Sequence, residues 1–145
     1  MDVEIRIDKE ARTPKVIIVT DRMSEDVSKL VSAISDFQDG IPGSRGGVVR
    51  LLEPEEILRI YTSGRHVVAS TCDGEYVLRL RLYELEERLQ SRRFVRISNS
   101  EIVNLRHVRH FDVSRAGVFC AVLDDGTTTF VSRRYIGAIR KLLGI

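Results

Sequence analysis

Short β-prone runs separated by turn sequences fill the chain after residue 47. Asp73-Gly74 and Asp124-Asp125-Gly126 are typical hairpin turns, and Thr62 to Arg65 forms a further turn that contains a glycine. Many short strands joined by such turns are typical of antiparallel sheets. We therefore predict a mainly β fold of the α+β class, with strands over 48–52, 57–61, 66–71, 75–78, 94–97, 102–104, 108–113, 118–123 and 127–131.

Two helices are predicted in the same region. Leucines at 78, 82, 85 and 89 recur at spacings of four, three and four, which predicts a short helix with one apolar face. Apolar residues from Tyr135 to Leu143 predict a closing helix, which follows Ser132-Arg133-Arg134.

The first 47 residues have a different pattern. Val3 to Asp8 alternates apolar and charged residues, and Lys15 to Thr20 is largely β-branched, so both are predicted strands. Apolar residues from Met23 to Phe37 recur at helical spacing. Glycine and proline between Gly40 and Gly47 predict a loop.

This loop suggests a domain boundary. We divide the chain into an N-terminal ββα segment, residues 1–47, and a larger domain, residues 48–145. A ββα unit of this size buries too little surface to be stable alone, so it is expected to pack on the rest or on a second copy.

Composition argues against several classes of protein. The chain has 145 residues and 43% hydrophobic residues, enough for a core, but no run of about 18 apolar residues that could span a membrane. Without a signal-peptide pattern at Met1, we expect a cytoplasmic protein that does not insert into membranes. Cys72 and Cys120 are far apart in the sequence, and His107 and His110 are three residues apart in a predicted strand region, a spacing that puts them on opposite faces. No metal, cofactor or catalytic nucleophile–base pair is therefore expected, and the chain is not predicted to be an enzyme.

Positive charge is concentrated in the larger domain. Residues 1–47 carry seven Lys/Arg and nine Asp/Glu, whereas residues 48–145 carry 16 and 12. Arginine supplies 19 of the 23 basic side chains, and six arginines, Arg115 among them, fall between residues 92 and 115. Because arginine binds phosphate and guanine edges in a bidentate manner, this bias indicates a nucleic-acid partner. A solvated surface is the alternative.

The stretch from Phe94 to Asn104 places a polar turn between two β-prone runs. The turn is Ser98-Asn99-Ser100, and aliphatic residues on both sides anchor it. A polar tip held in this way can present side chains to a partner, although an ordinary turn is the alternative.

Residues from about Val48 to the end resemble the LytTR family of bacterial DNA-binding domains. The resemblance is carried by the strand pair with its Asp-Gly turn, the leucine-faced helix, the block from Phe94 to Asn104, the second Asp-Gly hairpin and the ending Val131-Ser132-Arg133-Arg134-Tyr135. It implies an elongated, mostly β domain with a helix between sheets. It also implies a sequence-specific transcriptional regulator that inserts loops, not a recognition helix, into the DNA major groove.

The resemblance implies three regions of DNA contact, which in this chain fall on His66 with Arg65 beside it, on Asn99 and on Arg133. The predicted DNA-binding residues are Arg65, His66, Arg96, Ser98, Asn99, Ser100, Arg133 and Arg134. Many members of the family carry histidine where this chain has Ser98, which is shorter and is expected to reach phosphate. Asparagine suits adenine and arginine suits guanine, so the residue types fit major-groove recognition.

Typical relatives carry a receiver domain before the DNA-binding domain. Residues 1–47 lack the alternating βα pattern of a receiver, so we expect a dimerisation or sensing element there. A homodimer is favoured because DNA sites of this kind are commonly read by two copies. The expected partners are double-stranded DNA, a second copy and, as a candidate, a membrane-protein signalling partner. The alternative function is a β-rich protein-interaction adaptor without DNA binding.

Overall fold

The structure is a computed structural model that describes residues 1–114 and 117–145, without the side chain of Gln38; Arg115 of the arginine cluster lies outside the described residues. Three α-helices are described: α1 (Glu25–Gln38), α2 (Leu82–Arg88) and α3 (Arg133–Leu143). The strands are β1 (Ile41–Arg45), β2 (Val48–Leu52), β3 (Ile57–Ser63), β4 (His66–Thr71), β5 (Gly74–Leu78), β6 (Phe94–Ser98), β7 (Glu101–Asn104), β8 (Val108–Asp112), β9 (Cys120–Leu123) and β10 (Thr128–Phe130).

The strands form two antiparallel sheets. The large sheet has the order β2-β1-β5-β4-β3-β7-β6, and the small sheet has the order β10-β9-β8. This arrangement confirms the predicted mainly β fold of the α+β class. It follows from the short runs and turns of the sequence, because neighbouring strands in the chain pair through tight hairpins.

Different elements pack on the two faces of the large sheet, in each case through apolar side chains. One cluster joins sheet residues such as Ile60 and Ile102 to the leucine face of α2. The other joins Leu58 and Ile97 of the large sheet to the small sheet and to Ile139 of α3. Alternate residues of a strand face opposite sides, so the large sheet is covered by α2 on one face and by the small sheet and α3 on the other.

The two predicted N-terminal strands are not formed. Residues 1–24 contain no helix or strand, and every residue from 1 to 23 except Ile18 is exposed. The chain instead turns where the Ala11 N–H donates to the carbonyl oxygen of Asp8, at 3.1 Å. The prediction failed because β-prone residues form a strand only when a neighbouring backbone pairs with them, and an isolated hairpin is marginal in water.

The predicted loop over Gly40 to Gly47 was also wrong, because Ile41–Arg45 is strand β1. It pairs with β2 and β5. Gly43 serves close packing here, since a Cβ at this residue would lie 2.9 Å from the Cβ of Tyr76. Gly46 and Gly47 have φ of 56° and 78° and form the hairpin turn. The β1–β2 hairpin therefore spans residue 47, where the sequence suggested a boundary.

Helix α1 was correctly predicted and is joined to α2. Its N-cap is Ser24, whose hydroxyl accepts the N–H of Val27 at 3.3 Å. At its other end, Arg88 of α2 donates to the hydroxyl of Ser35 at 2.6 Å and to the carbonyl oxygen of Gly40 at 3.0 Å. The helix is thus held on the domain, whereas the residues before it are not.

Candidate nucleic-acid interface

Two of the predicted contact regions lie at the same end of the large sheet. Ser63, the last residue of β3, pairs with His66 at the start of β4. Ser98, the last residue of β6, pairs with Glu101 at the start of β7. The Thr62 N–H donates to the carbonyl oxygen of Ser100 at 2.9 Å and so links the two turns.

The third predicted region joins them through helix α3. The Ser132 N–H donates to the carbonyl oxygen of Ile97 at 2.8 Å, which places the first turn of α3 beside the end of β6. The Tyr135 hydroxyl then donates to the side-chain oxygen of Asn99 at 3.0 Å. We call the β3–β4 turn, the β6–β7 turn and the first turn of α3 together the loop end of the sheet.

Most of the predicted side chains are open to solvent at this loop end. The exposed set is Arg65, His66, Asn99, Ser100, Arg133 and Arg134. Within the described part of the chain, no ion pair engages Arg65, Arg133 or Arg134, and the Arg134 guanidinium lies 5.9 Å from the Tyr135 ring. Unpaired guanidinium groups clustered at one end of a domain attract phosphate.

Two predicted residues, Arg96 and Ser98, make contacts within and beside the β6–β7 turn. Arg96 is only 15% exposed, pairs with Glu86 at 2.8 Å, and donates to the carbonyl oxygens of Ser98 and Asn99, each at 2.7 Å. The Ser98 hydroxyl accepts the N–H of Ser100 at 3.2 Å. Both side chains therefore stabilise the turn that presents Asn99.

Sequence reasoning did not single out Arg79 and Arg81. They follow β5, whose last residue, Leu78, pairs with Val67 next to His66. Both arginines are exposed, and among the described residues neither takes part in an ion pair. An Arg-Leu-Arg sequence directly after a predicted strand was the signal that could have identified them.

A buried ion pair lies behind the loop end. Arg59 and Glu101 approach to 2.5 Å, with the Glu101 side chain only 7% exposed, and the hydroxyl of Thr129 in the small sheet donates to the same carboxylate. This contact joins the two sheets directly beneath the β6–β7 turn. Beside it, a hydrogen bond to Glu75, together with burial, raises the pKa of Tyr61.

The sequence and the fold both match those of known DNA-binding domains. The family model of the LytTr DNA-binding domain matches residues 47–144. The chain belongs to the LytTr DNA-binding domain family. A solved LytTr DNA-binding domain from Bacillus cereus has a similar fold, with a TM-score of 0.69 and 21% sequence identity, over 73% of this chain and 97% of that one.

Two Staphylococcus aureus proteins are similar over most of their length. They come from strains NCTC 8325 / PS 47 and MRSA252, and each bears the name of an uncharacterized HTH-type transcriptional regulator. Each is 29% identical over 126 residues, which are 86% of this chain and 85% of the relative. The similarity therefore extends beyond the LytTr match into the residues that precede it.

The described residues show neither a membrane span nor a metal-binding group. No described helix is long and apolar enough to cross a bilayer. Across residues 1–114 and 117–145, no three His, Cys, Asp or Glu side chains are grouped as a metal site.

Proposed function

We propose that this LytTr protein, a DNA-binding transcriptional regulator by its family, recognises specific duplex sequences by inserting the loop end of its large sheet into the major groove. The observation that carries the proposal is the convergence of three separate chain regions, around His66, Asn99 and Arg133, at one end of the sheet. Loops that project from a rigid sheet can enter a groove that is wide enough for an α-helix.

Each exposed side chain of the loop end has a proposed role. Asn99 reads adenine and Arg133 reads guanine, because these pairs match in donors and acceptors. His66 with Arg65 contacts bases and backbone at the β3–β4 turn. Ser100 and Arg134 contact phosphates.

The charges at the first turn of α3 also favour a bound phosphate. Arg133 and Arg134 occupy the helix N-terminus, and the first turn carries no acidic residue. Positive side chains there oppose the helix dipole in the free protein, whereas a phosphate would interact favourably with both. The arrangement is therefore better suited to the bound state than to the free state.

The proposed activity is DNA binding and not catalysis. We propose that the protein acts in the cytoplasm as a homodimer, whose two copies associate through the N-terminal segment. Two copies double the contact area on DNA and match the two half-sites of a typical operator.

The test is binding of the full chain to duplex DNA from the upstream region of its own gene, across a salt series. We expect the logarithm of the association constant to fall linearly with the logarithm of salt concentration, with a slope of about −0.9 per phosphate contacted. Arg134→Ala should make the slope less steep by about one unit. Arg106→Ala is the matched control, because Arg106 is exposed but follows the opposite end of β7. No salt-dependent binding to any duplex, that one included, would favour the adaptor function.

A further inference from the structure

Several aliphatic side chains among the N-terminal 20 residues are largely exposed. Six side chains are between 61% and 92% exposed: Val3, Ile5, Ile7, Val16, Ile17 and Val19. They belong to two β-prone runs whose backbone has no strand partner within the chain as described. Exposed aliphatic residues concentrated in one segment are typical of an interaction surface.

The first run already has side-chain geometry suited to a strand. Arg6 pairs with Glu4 at 3.2 Å, so these two charged side chains lie on the same side of the backbone. In an extended chain, Val3, Ile5 and Ile7 then share the other side. The segment thus presents one aliphatic and one charged face.

Among the antiparallel registers centred on Glu4, Ile5 or Arg6, pairing with a second copy is favourable in one. When two copies pair antiparallel about Ile5, Val3 lies opposite Ile7 of the other copy, Ile5 lies opposite its equivalent, and Glu4 lies opposite Arg6. Pairing about Glu4 or Arg6 puts like charges directly opposite each other, and so does a parallel in-register pair. Charge complementarity therefore selects the register centred on Ile5.

We propose that Val3–Ile7 of two copies pair as antiparallel strands centred on Ile5, with Val16–Val19 of each copy as the outer strand of the resulting sheet. The inference rests on the proposed homodimer and identifies its interface. A stable interface buries roughly 800 Å² per partner, and the exposed aliphatic side chains of the two runs contribute the apolar part of that area.

The proposal explains why these runs remain unpaired in a single copy. The turn at Asp8 to Ala11 separates them, and neither run has a core of its own to bury against. A second copy supplies both the missing backbone partner and the apolar surface.

The experiment uses two single charge reversals in the full chain, Glu4→Arg and Arg6→Glu, followed by sedimentation velocity without DNA. Each variant alone places like charges opposite each other, so we expect its dimer to dissociate at least about tenfold more readily than the wild type. An equimolar mixture should recover the wild-type association, because one chain carries arginine at both positions and the other carries glutamate at both. Pairing within one chain cannot produce this recovery.

Glu10→Arg is the matched control, since it makes the same charge change in the turn outside the strand and should leave association unchanged. A wild-type chain that sediments as a monomer would overturn both this interface and the homodimer. Dimers that persist in both single variants, or a mixture that does not recover, would overturn the interface alone. DNA binding is measured separately, so its failure cannot be mistaken for either result.

Discussion

The Tyr135 hydroxyl donates a hydrogen bond to the side-chain oxygen of Asn99, at 3.0 Å, from a helix 36 residues further along the chain. Arg96 donates to the backbone oxygen of the same asparagine, at 2.7 Å. The proposed adenine-reading side chain is therefore oriented from α3 while its backbone is held from β6. An amide that reads a groove needs such support, because free rotation would move its donor and acceptor away from the positions that match the base.

Tyr135→Phe removes this hydrogen bond but keeps the ring. We expect DNA affinity to fall about three- to tenfold, because one hydrogen bond contributes about 0.5–1.5 kcal/mol. Fluorescence anisotropy with the cognate duplex measures the loss. In an Asn99→Ala background the same substitution should have little further effect, and a full loss there would contradict the positioning role.

Asn99→Ala and Arg133→Ala test direct base recognition. Each should cost about 1–3 kcal/mol of binding free energy and weaken discrimination at one base position, because a bidentate base contact is lost. Competition with duplexes substituted at single positions reports the change in preference. If either variant lost affinity equally for all sequences, that residue would contact the backbone and not a base.

The Arg96→Ala variant tests whether Arg96 supports the turn or contacts a DNA phosphate. The Arg96 guanidinium bonds two carbonyl oxygens and Glu86, so its loss should destabilise the fold by about 1.5–3 kcal/mol. DNA affinity should fall without a change in salt slope, unlike the result for Arg134→Ala. Urea unfolding and the salt series together provide both measurements, and a reduced slope would mean that Arg96 touches phosphate.

Glu101→Ala tests the ion pair that joins the sheets. It leaves the guanidinium of Arg59 without its partner in a largely buried position and removes the acceptor of the Thr129 hydroxyl. We expect a loss of about 3–5 kcal/mol in unfolding free energy. Urea denaturation measures this loss, and a loss below about 1 kcal/mol would show that solvent replaces the interaction.

Asp73 makes stability depend on pH in the acid range. Its pKa is lowered below 3.8, first by the hydrogen bond from Thr71 and further by Tyr76, Arg50 and Arg45, while desolvation opposes the shift. Since the unfolded chain binds the proton at higher pH, this contribution is present above pH 3.8 and is lost as pH falls through the lowered pKa. Thermal unfolding of Asp73→Asn between pH 5 and pH 3 should therefore show a shallower decline than that of the wild type, whereas an identical decline would assign the effect to other carboxylates.

Local patterns predicted much of the fold. The runs around Ile60, Ala69 and Val103 became strands because their β-prone residues and turns agree with the sheet. The same reasoning failed for Val3 to Asp8, which has a strand pattern but no partner, and for Ile41–Arg45, whose glycine and proline resemble a loop. A segment forms a strand only when another strand pairs with it, and the neighbouring residues in the sequence do not reveal whether such a partner exists.

The candidate site was predictable to a similar extent. Residue types and family resemblance pointed to His66, Asn99 and Arg133, and the structure brings their loops to one end of the sheet. Their contacts with DNA stay predictions. The sequence could not distinguish Arg96, which is occupied within the turn, from Arg79, which is exposed without an ion pair among the described residues.

The sequence by itself determined a mainly β chain with short strands, an arginine-rich larger domain and a polar turn at Ser98 to Ser100, because propensity, turn chemistry and charge belong to residues close together in the chain. Only the tertiary structure decided that Tyr135 reaches Asn99, that Glu101 joins the two sheets and that the first 24 residues stay outside both cores. These outcomes depend on which distant groups become neighbours when apolar faces are buried, and that burial is a property of the whole fold.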